Sequence, residues 1–212
     1  MYKKVVENYV PINEQEVSDK IMMLELIDSI GDKILTRESM AAHMTASSMI
    51  FNRTRDKVLM IYHNIYKSFA WTGGHSDGEH NLLYTAAKEA MEETGLKSLR
   101  LIPVSAAKNG KTEDIISDVS YHRWAEDSVC AAASIDVLTV NGHVKRGKYV
   151  SSHLHLNVSY LFEADESEAI CCKPDENSAV AWIECSKLSE AVDEPWMIPI
   201  YNKLIKRGLN FQ

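Results

Sequence analysis

The chain has 212 residues, enough for one domain with an extension or for two small domains, and 45% of them are apolar, enough for a sizeable core. Thirty acids against 23 bases leave a net charge of −7, and no basic run offers a footprint for nucleic acid. No segment approaches the ~20 apolar residues of a membrane helix, and the opening MYKKVVENYV lacks the apolar centre of a secretory signal.

Residues 1–42 read as a helical extension packed on the core of the remaining chain. Val17 to Ile30 is amphipathic, with Ile21, Leu24, Ile27 and Ile30 at helical spacing, and Gly31-Asp32 ends it. A second short helix is expected near Thr36. Besides packing on the core, such a segment can cover a site or make a homodimer contact. His43 to Phe51 reads as a strand, Asn52 to Asp56 as a turn and Lys57 to His63 as a second strand, which together suggest a hairpin.

The most informative stretch is Trp71 to Leu96, WTGGHSDGEHNLLYTAAKEAMEETGL. Gly73, Gly74 and Gly78 make a glycine loop. Asn81 is a good N-cap, and Gly95 stands where a left-handed residue ends a helix. Leu83, Ala86, Ala87, Ala90, Met91 and Thr94 share one broad helical face, with Glu89, Glu92 and Glu93 expected together on the other side. Three clustered acids repel one another, and they lie at the dipole-negative end of the helix. Lys88 offsets one of them. A divalent cation offsets more, and oxygen-only ligands suit Mg²⁺. The plainer reading is a solvated helix face.

The spacing Gly74-x5-His80-x7-Lys88-Glu89-x2-Glu92-Glu93-x-Gly95-Leu96 resembles the Nudix hydrolase box, Gx5Ex7REUxEExGU. Two identities depart from it: His80 stands in place of Glu, and Lys88 in place of Arg, keeping the charge without the planar fork. A second match supports the first. Gly73-Gly74-His75-Ser76-Asp77-Gly78 and His153-Leu154-His155-Leu156-Asn157 are similar to the GGHxDG loop and HxHxD-like strand of one Nudix subgroup. The resemblance spans roughly residues 43–185.

Further along, Leu99 to Val104 reads as a strand, and residues 105–131 have no clean period and look like an insertion serving as a lid or as a packed decoration. Ser134 to Val140 is strand-like, and the following loop carries Lys145, Arg146 and Lys148, which either meet substrate phosphates or form a solvated charged turn. Within the strand Val150 to Glu163, alternation puts His153, His155 and Asn157 on one face. The two histidines are candidates to contact substrate; neutral, hydrogen-bonded sheet histidines are the plainer alternative. Cys171 and Cys172 are adjacent and, with Cys130 and Cys185, lack CxxC spacing, so neither a zinc site nor a disulfide framework is expected and a reducing cytoplasm is the simplest setting. Glu176 lies in the loop before a strand at Ala179 to Ile183, and a final amphipathic helix, Trp196 to Lys206, has Ile198, Tyr201, Leu204 and Ile205 on its core face.

The resemblance implies an α/β (α+β) Nudix-like α/β/α sandwich with a mixed sheet over residues 43–212, following the extension at 1–42. It implies a hydrolase of the pyrophosphate bond in a nucleoside diphosphate linked to a further moiety. Mg²⁺, with Mn²⁺ as a substitute, would sit at Glu89, Glu92, Glu93 and the Gly73 carbonyl, with Glu89 or Glu176 as general base. The partner implied is a small-molecule diphosphate. A Nudix-fold domain that binds or regulates without turnover is the alternative, kept open by His80.

Overall fold

The structure, a computed structural model, describes residues 1–102, 104, 115–116, 131–145 and 147–210. Its frame is two long strands. β1 (Ala42–Phe51) is buried along its whole length, as its mixture of Met, Ile, Phe, Ala and small polar residues allows. β10 (His153–Glu163) lies parallel to it in unbroken register, from Ala42 opposite Leu154 to Phe51 opposite Glu163. Around this pair the sheet is antiparallel. β2 (Lys57–His63) follows β1 through the expected turn, β3 (Ser68–Ala70) pairs β2, and β11 (Asn177–Glu184) forms the strand beyond β2. On the other side β7 (Ser134–Val140) and β5 (Leu99–Leu101) pair β10, and β6 (Ile115–Ile116) pairs β5. β4 (Thr72–His75) runs antiparallel along β1, so part of the glycine loop is itself a strand. The sheet is therefore mixed and has nine strands among the described residues.

Helices cover both faces. α1 (Tyr2–Asn8), α2 (Glu14–Ile30) and α3 (Leu82–Thr94) share one buried cluster with Met44, Ala46, Leu156 and Val158. The short α4 (Leu188–Ala191) and α5 (Ile198–Asn210) form a second cluster with Met49, Phe51, Met60 and Leu161. This is an α/β/α sandwich. Tyr201, Leu204 and Ile205 are buried as their spacing predicts. No helix among the described residues is long and apolar enough to cross a membrane. Cys171, Cys172 and Cys185 are free.

Several local expectations change. In α2 the buried residues are Glu16, Met23 and Ile27, while Ile21 is exposed: helical periodicity identifies a stripe but not how far it rotates toward the core. The helix expected near Thr36 is instead a 3₁₀ turn at Gly31–Leu35, ahead of it. The basic loop after β7 is a small hairpin of β8 (His143–Lys145) and β9 (Lys148–Val150), with Gly147 at φ 76° in its turn. Most of the 105–131 stretch lies outside the described residues.

The extension is fastened by buried charge. Glu16 is fully buried. Its Oε2 accepts from the Ile12 amide at 2.9 Å, and its Oε1 lies 2.9 Å from Lys203 Nζ on α5. Lys203 also meets the buried Asp136 of β7 at 2.7 Å, while Arg207 donates to the Tyr9 hydroxyl at 2.6 Å. One network thus ties α2 to β7 and α5. Deleting one partner of a buried pair strands the others, at a cost of roughly 3–5 kcal/mol. Glu16→Ala is expected to lower urea-unfolding stability by about that amount, and by far more than Lys3→Ala, whose partners are exposed. Equal effects of the two substitutions would remove this role from Glu16.

Candidate active site

The site is built where β4 passes the C-terminal half of α3. Asn81 caps α3 as expected, its side chain accepting from the Tyr84 amide at 3.2 Å, and Gly95 ends the helix at φ 76°. The loop between β4 and α3 is pinned from outside. Ser76 Oγ donates to the Leu35 and Met44 carbonyls, and the Gly78 amide donates to Leu35 O at 2.9 Å. Glu79 accepts from the Asn81 amide at 2.7 Å. His80 is exposed, with its ring 5.7 Å from that of Tyr2 on α1. The departure from the Nudix pattern at position 80 therefore faces the extension.

Gly73 and Gly74 are required by close approach. A Cβ on Gly73 would lie 2.5 Å from Ser47 Oγ and 2.7 Å from the Ala46 carbonyl, and one on Gly74 would lie 2.7 Å from Glu89 Cδ. With no side chains in the way, the strand backbone reaches the helix acids, and the Gly73 amide donates to Glu93 Oε2 at 3.0 Å.

The acids are not equivalent. Glu92 is exposed, Glu89 is half-buried and Glu93 is only 3% exposed, on the packed side of α3 rather than opposite it. Burial pushes the Glu93 carboxyl up to about 8 against the Gly73 amide, which favours the charged form; Glu89 and Glu176 push the same way as burial. Glu89 is also raised, by burial first, with Lys88 opposing. Lys88 lies 3.6 Å from Glu89 and 3.5 Å from Glu92. Lys173 lies 3.3 Å from Glu92 and 3.0 Å from Glu176. Burial lowers the Lys173 ammonium, but its acidic neighbours more than offset this and raise it. Asn177, from the start of β11, donates to the Glu93 carbonyl at 3.0 Å. The chain entering β11 thus delivers Glu176, Lys173 and Asn177 to α3. The sequence signalled only the first of these.

Fully ionised, four carboxylates against two lysines leave a net charge of two minuses, with oxygen as the only donor atom for a cation. That donor set fits a hard dication such as Mg²⁺ or Mn²⁺. Of the two bases expected to meet phosphate, Lys145 lies on β8 and Arg146 lies outside the described residues. His153 and His155 stand elsewhere on the sheet, in a group with His43 and His75. The position of His43 is visible only from the β1–β10 register, which sets it opposite His155.

No protein-family profile matches the sequence, and no curated protein matches it. Solved structures do match. An Ap4A hydrolase from C. elegans in a binary complex superposes with a TM-score of 0.51 at 14% identity, covering 79% of this chain and 98% of that one. A Nudix-family hydrolase from Clostridium perfringens covers 77% and 96% at 19% identity with a TM-score of 0.47. The E. coli dihydroneopterin triphosphate pyrophosphohydrolase covers 79% and 95% at 11% identity with a TM-score of 0.49. The fold is the Nudix fold.

The buried Glu93 gives the metal-free protein a pH signature. A carboxyl raised from 4.5 to about 8 stays protonated in the folded state after the unfolded chain has released its proton. Its contribution to stability therefore falls as pH rises between those two values, by up to ~1.4 kcal/mol per pH unit. In chelator, Glu93→Gln is expected to gain stability relative to wild type from pH 5 to pH 8 in denaturant titrations. Parallel pH curves would show that Glu93 is ionised in the folded protein.

Proposed function

We propose that this chain is a divalent-metal-dependent hydrolase that cleaves the pyrophosphate bond of a nucleoside diphosphate linked to a second moiety. The observation that carries the reading is the gathering of Glu89, Glu92 and Glu176 around Lys88 and Lys173, with Glu93 held by the Gly73 amide, beside the bare backbone of Gly73 and Gly74. The Nudix fold supports it, as does the box spacing in the sequence.

In this reading Glu89, Glu92, Glu93 and the Gly73 carbonyl hold Mg²⁺, or Mn²⁺ in its place. When bound, the ion neutralises phosphate charge and acidifies water. The protein supplies the rest. The Gly73 amide fixes the Glu93 carboxyl, and Lys88 and Lys173 restrain Glu92 from two sides. Lys145 and Arg146 are the candidates to meet the substrate's phosphates. Glu89 is the candidate to accept the proton of the attacking water, since it stands half-buried on α3 against the Gly74 backbone. Water oxygen bonds to phosphorus, the anhydride P–O bond breaks, and the leaving phosphate departs with the bridging oxygen and the electron pair. Glu176, more exposed and engaged by Lys173, is the secondary candidate for the base.

A Mg²⁺-dependent phosphate-release screen across nucleotides, dinucleotides, nucleotide sugars and isoprenoid diphosphates tests the reaction. On the substrate it identifies, Glu89→Gln is expected to lower single-turnover rate by at least ~100-fold with the fold intact, and Glu176→Gln by less. Inactivity of Glu176→Gln beside a fully active Glu89→Gln would move the base to the loop. No phosphate release from any substrate class would favour a binding module without turnover.

A further inference from the structure

A second constellation on the sheet is built of histidines. His43 from β1, His75 from β4 and His153 and His155 from β10 bring one ring nitrogen each to within 4.8 Å of one another. The rings pack closely: the His43 centroid lies 4.7 Å from those of both His75 and His153 and 5.1 Å from that of His155, while His75 and His155 are 4.8 Å apart. Strand register produces the group. His43 is opposite His155, and His75 is opposite Thr45, two residues along β1.

The outer nitrogens are already committed. His43 Nδ1 lies 3.2 Å from the Ser39 carbonyl and His153 Nδ1 lies 2.8 Å from the Ser151 carbonyl. A carbonyl only accepts, so both Nδ1 atoms carry hydrogen, and each neutral ring turns the lone pair of Nε2 inward. His43 Nε2 is buried and has no hydrogen-bond partner, on a residue only 7% exposed. Such an atom calls for a partner that the protein does not supply, and Tyr160 Oη and Trp182 Nε1 are the other two such atoms among the described residues. His153 Nε2 and His155 Nε2 lie 3.2 Å apart. Two nitrogens bound tetrahedrally to one zinc-like ion at 2.0–2.1 Å stand about 3.3 Å apart. Backbone carbonyls holding the far nitrogen of metal-binding histidines are the usual outer support of such sites.

We propose that His43, His75, His153 and His155 bind a divalent transition metal of the zinc type, in a site separate from the carboxylate cluster, and that this metal clamps β4 to β1 and β10. Four protein ligands close the coordination shell, so the ion has a structural role. It fixes the strand whose glycines approach α3. The nitrogen-only donor set selects imidazole-seeking metals and disfavours Mg²⁺.

Co²⁺ added to the chelator-treated full chain tests the site directly. The expected result is one tetrahedral Co²⁺ per chain, counted from the intense visible bands of tetrahedral nitrogen ligation and not from total bound metal, displaced by Zn²⁺, and a higher melting temperature with Zn²⁺. His43→Gln and His155→Gln are each expected to weaken Zn²⁺ binding by at least about tenfold, with Glu93→Gln unchanged. Circular dichroism checks that the variants fold, and the wild-type spectrum decides the matter if they do not. Absence of tetrahedral Co²⁺ in wild type would overturn the proposal. So would bands that survive both histidine substitutions, or bands lost in Glu93→Gln.

Discussion

Everything at the candidate site depends on how closely β4 can lie against its neighbours. Ser47 and the Ala46 carbonyl crowd Gly73 from β1, and Glu89 crowds Gly74 from α3. Only residues without a Cβ allow both approaches at once. The consequence is a backbone amide on Glu93 and a half-buried carboxylate beside it. Burial raises the proton affinity of both Glu89 and Glu93, opposed at Glu89 by Lys88 and Lys173 and at Glu93 by the Gly73 amide and Lys173.

The same strand ends in His75, so the glycine pair has an acidic neighbourhood on one side and a nitrogen-rich one on the other. The two differ in donor chemistry. Oxygen ligands beside water and phosphate suit a hard ion that exchanges during turnover, whereas four imidazoles on paired strands suit an ion that stays. Parallel pairing of β1 and β10 underlies the histidine group, since it sets His43 beside His155, and the pairing of β4 with β1 places both the glycines and His75. The extension contributes rigidity from a distance, through Glu16, Lys203 and Asp136, and meets the loop directly at Tyr2 and His80.

Much of this is legible in the sequence because it is local. The cap at Asn81, the left-handed Gly95, the spacing of the helix acids and the alternation of His153 and His155 all follow from neighbours within a few residues. The long box motif carries the fold as well. The features that escape sequence reasoning depend on non-local pairing. Glu93 is expected beside Glu89 and Glu92 opposite the packed face, but at 100° per residue it lies on the flank of that face next to Ala86, and β4 closes over it. Lys173 and Asn177 reach α3 from a segment some eighty residues away, and His43 joins His155 only through register. Ile21 fits an amphipathic stripe but is exposed, since periodicity does not fix a helix's rotation.

The central claim is that a hard dication sits between β4 and the acids of α3. Mn²⁺ titrated into isotope-labelled protein, followed by amide NMR, tests it most directly. The account predicts that the amides of Gly73, Glu89 and Glu93 broaden at substoichiometric Mn²⁺, ahead of those of His153 and His155. Broadening confined to β10, or spread evenly over the acidic surface, would contradict it.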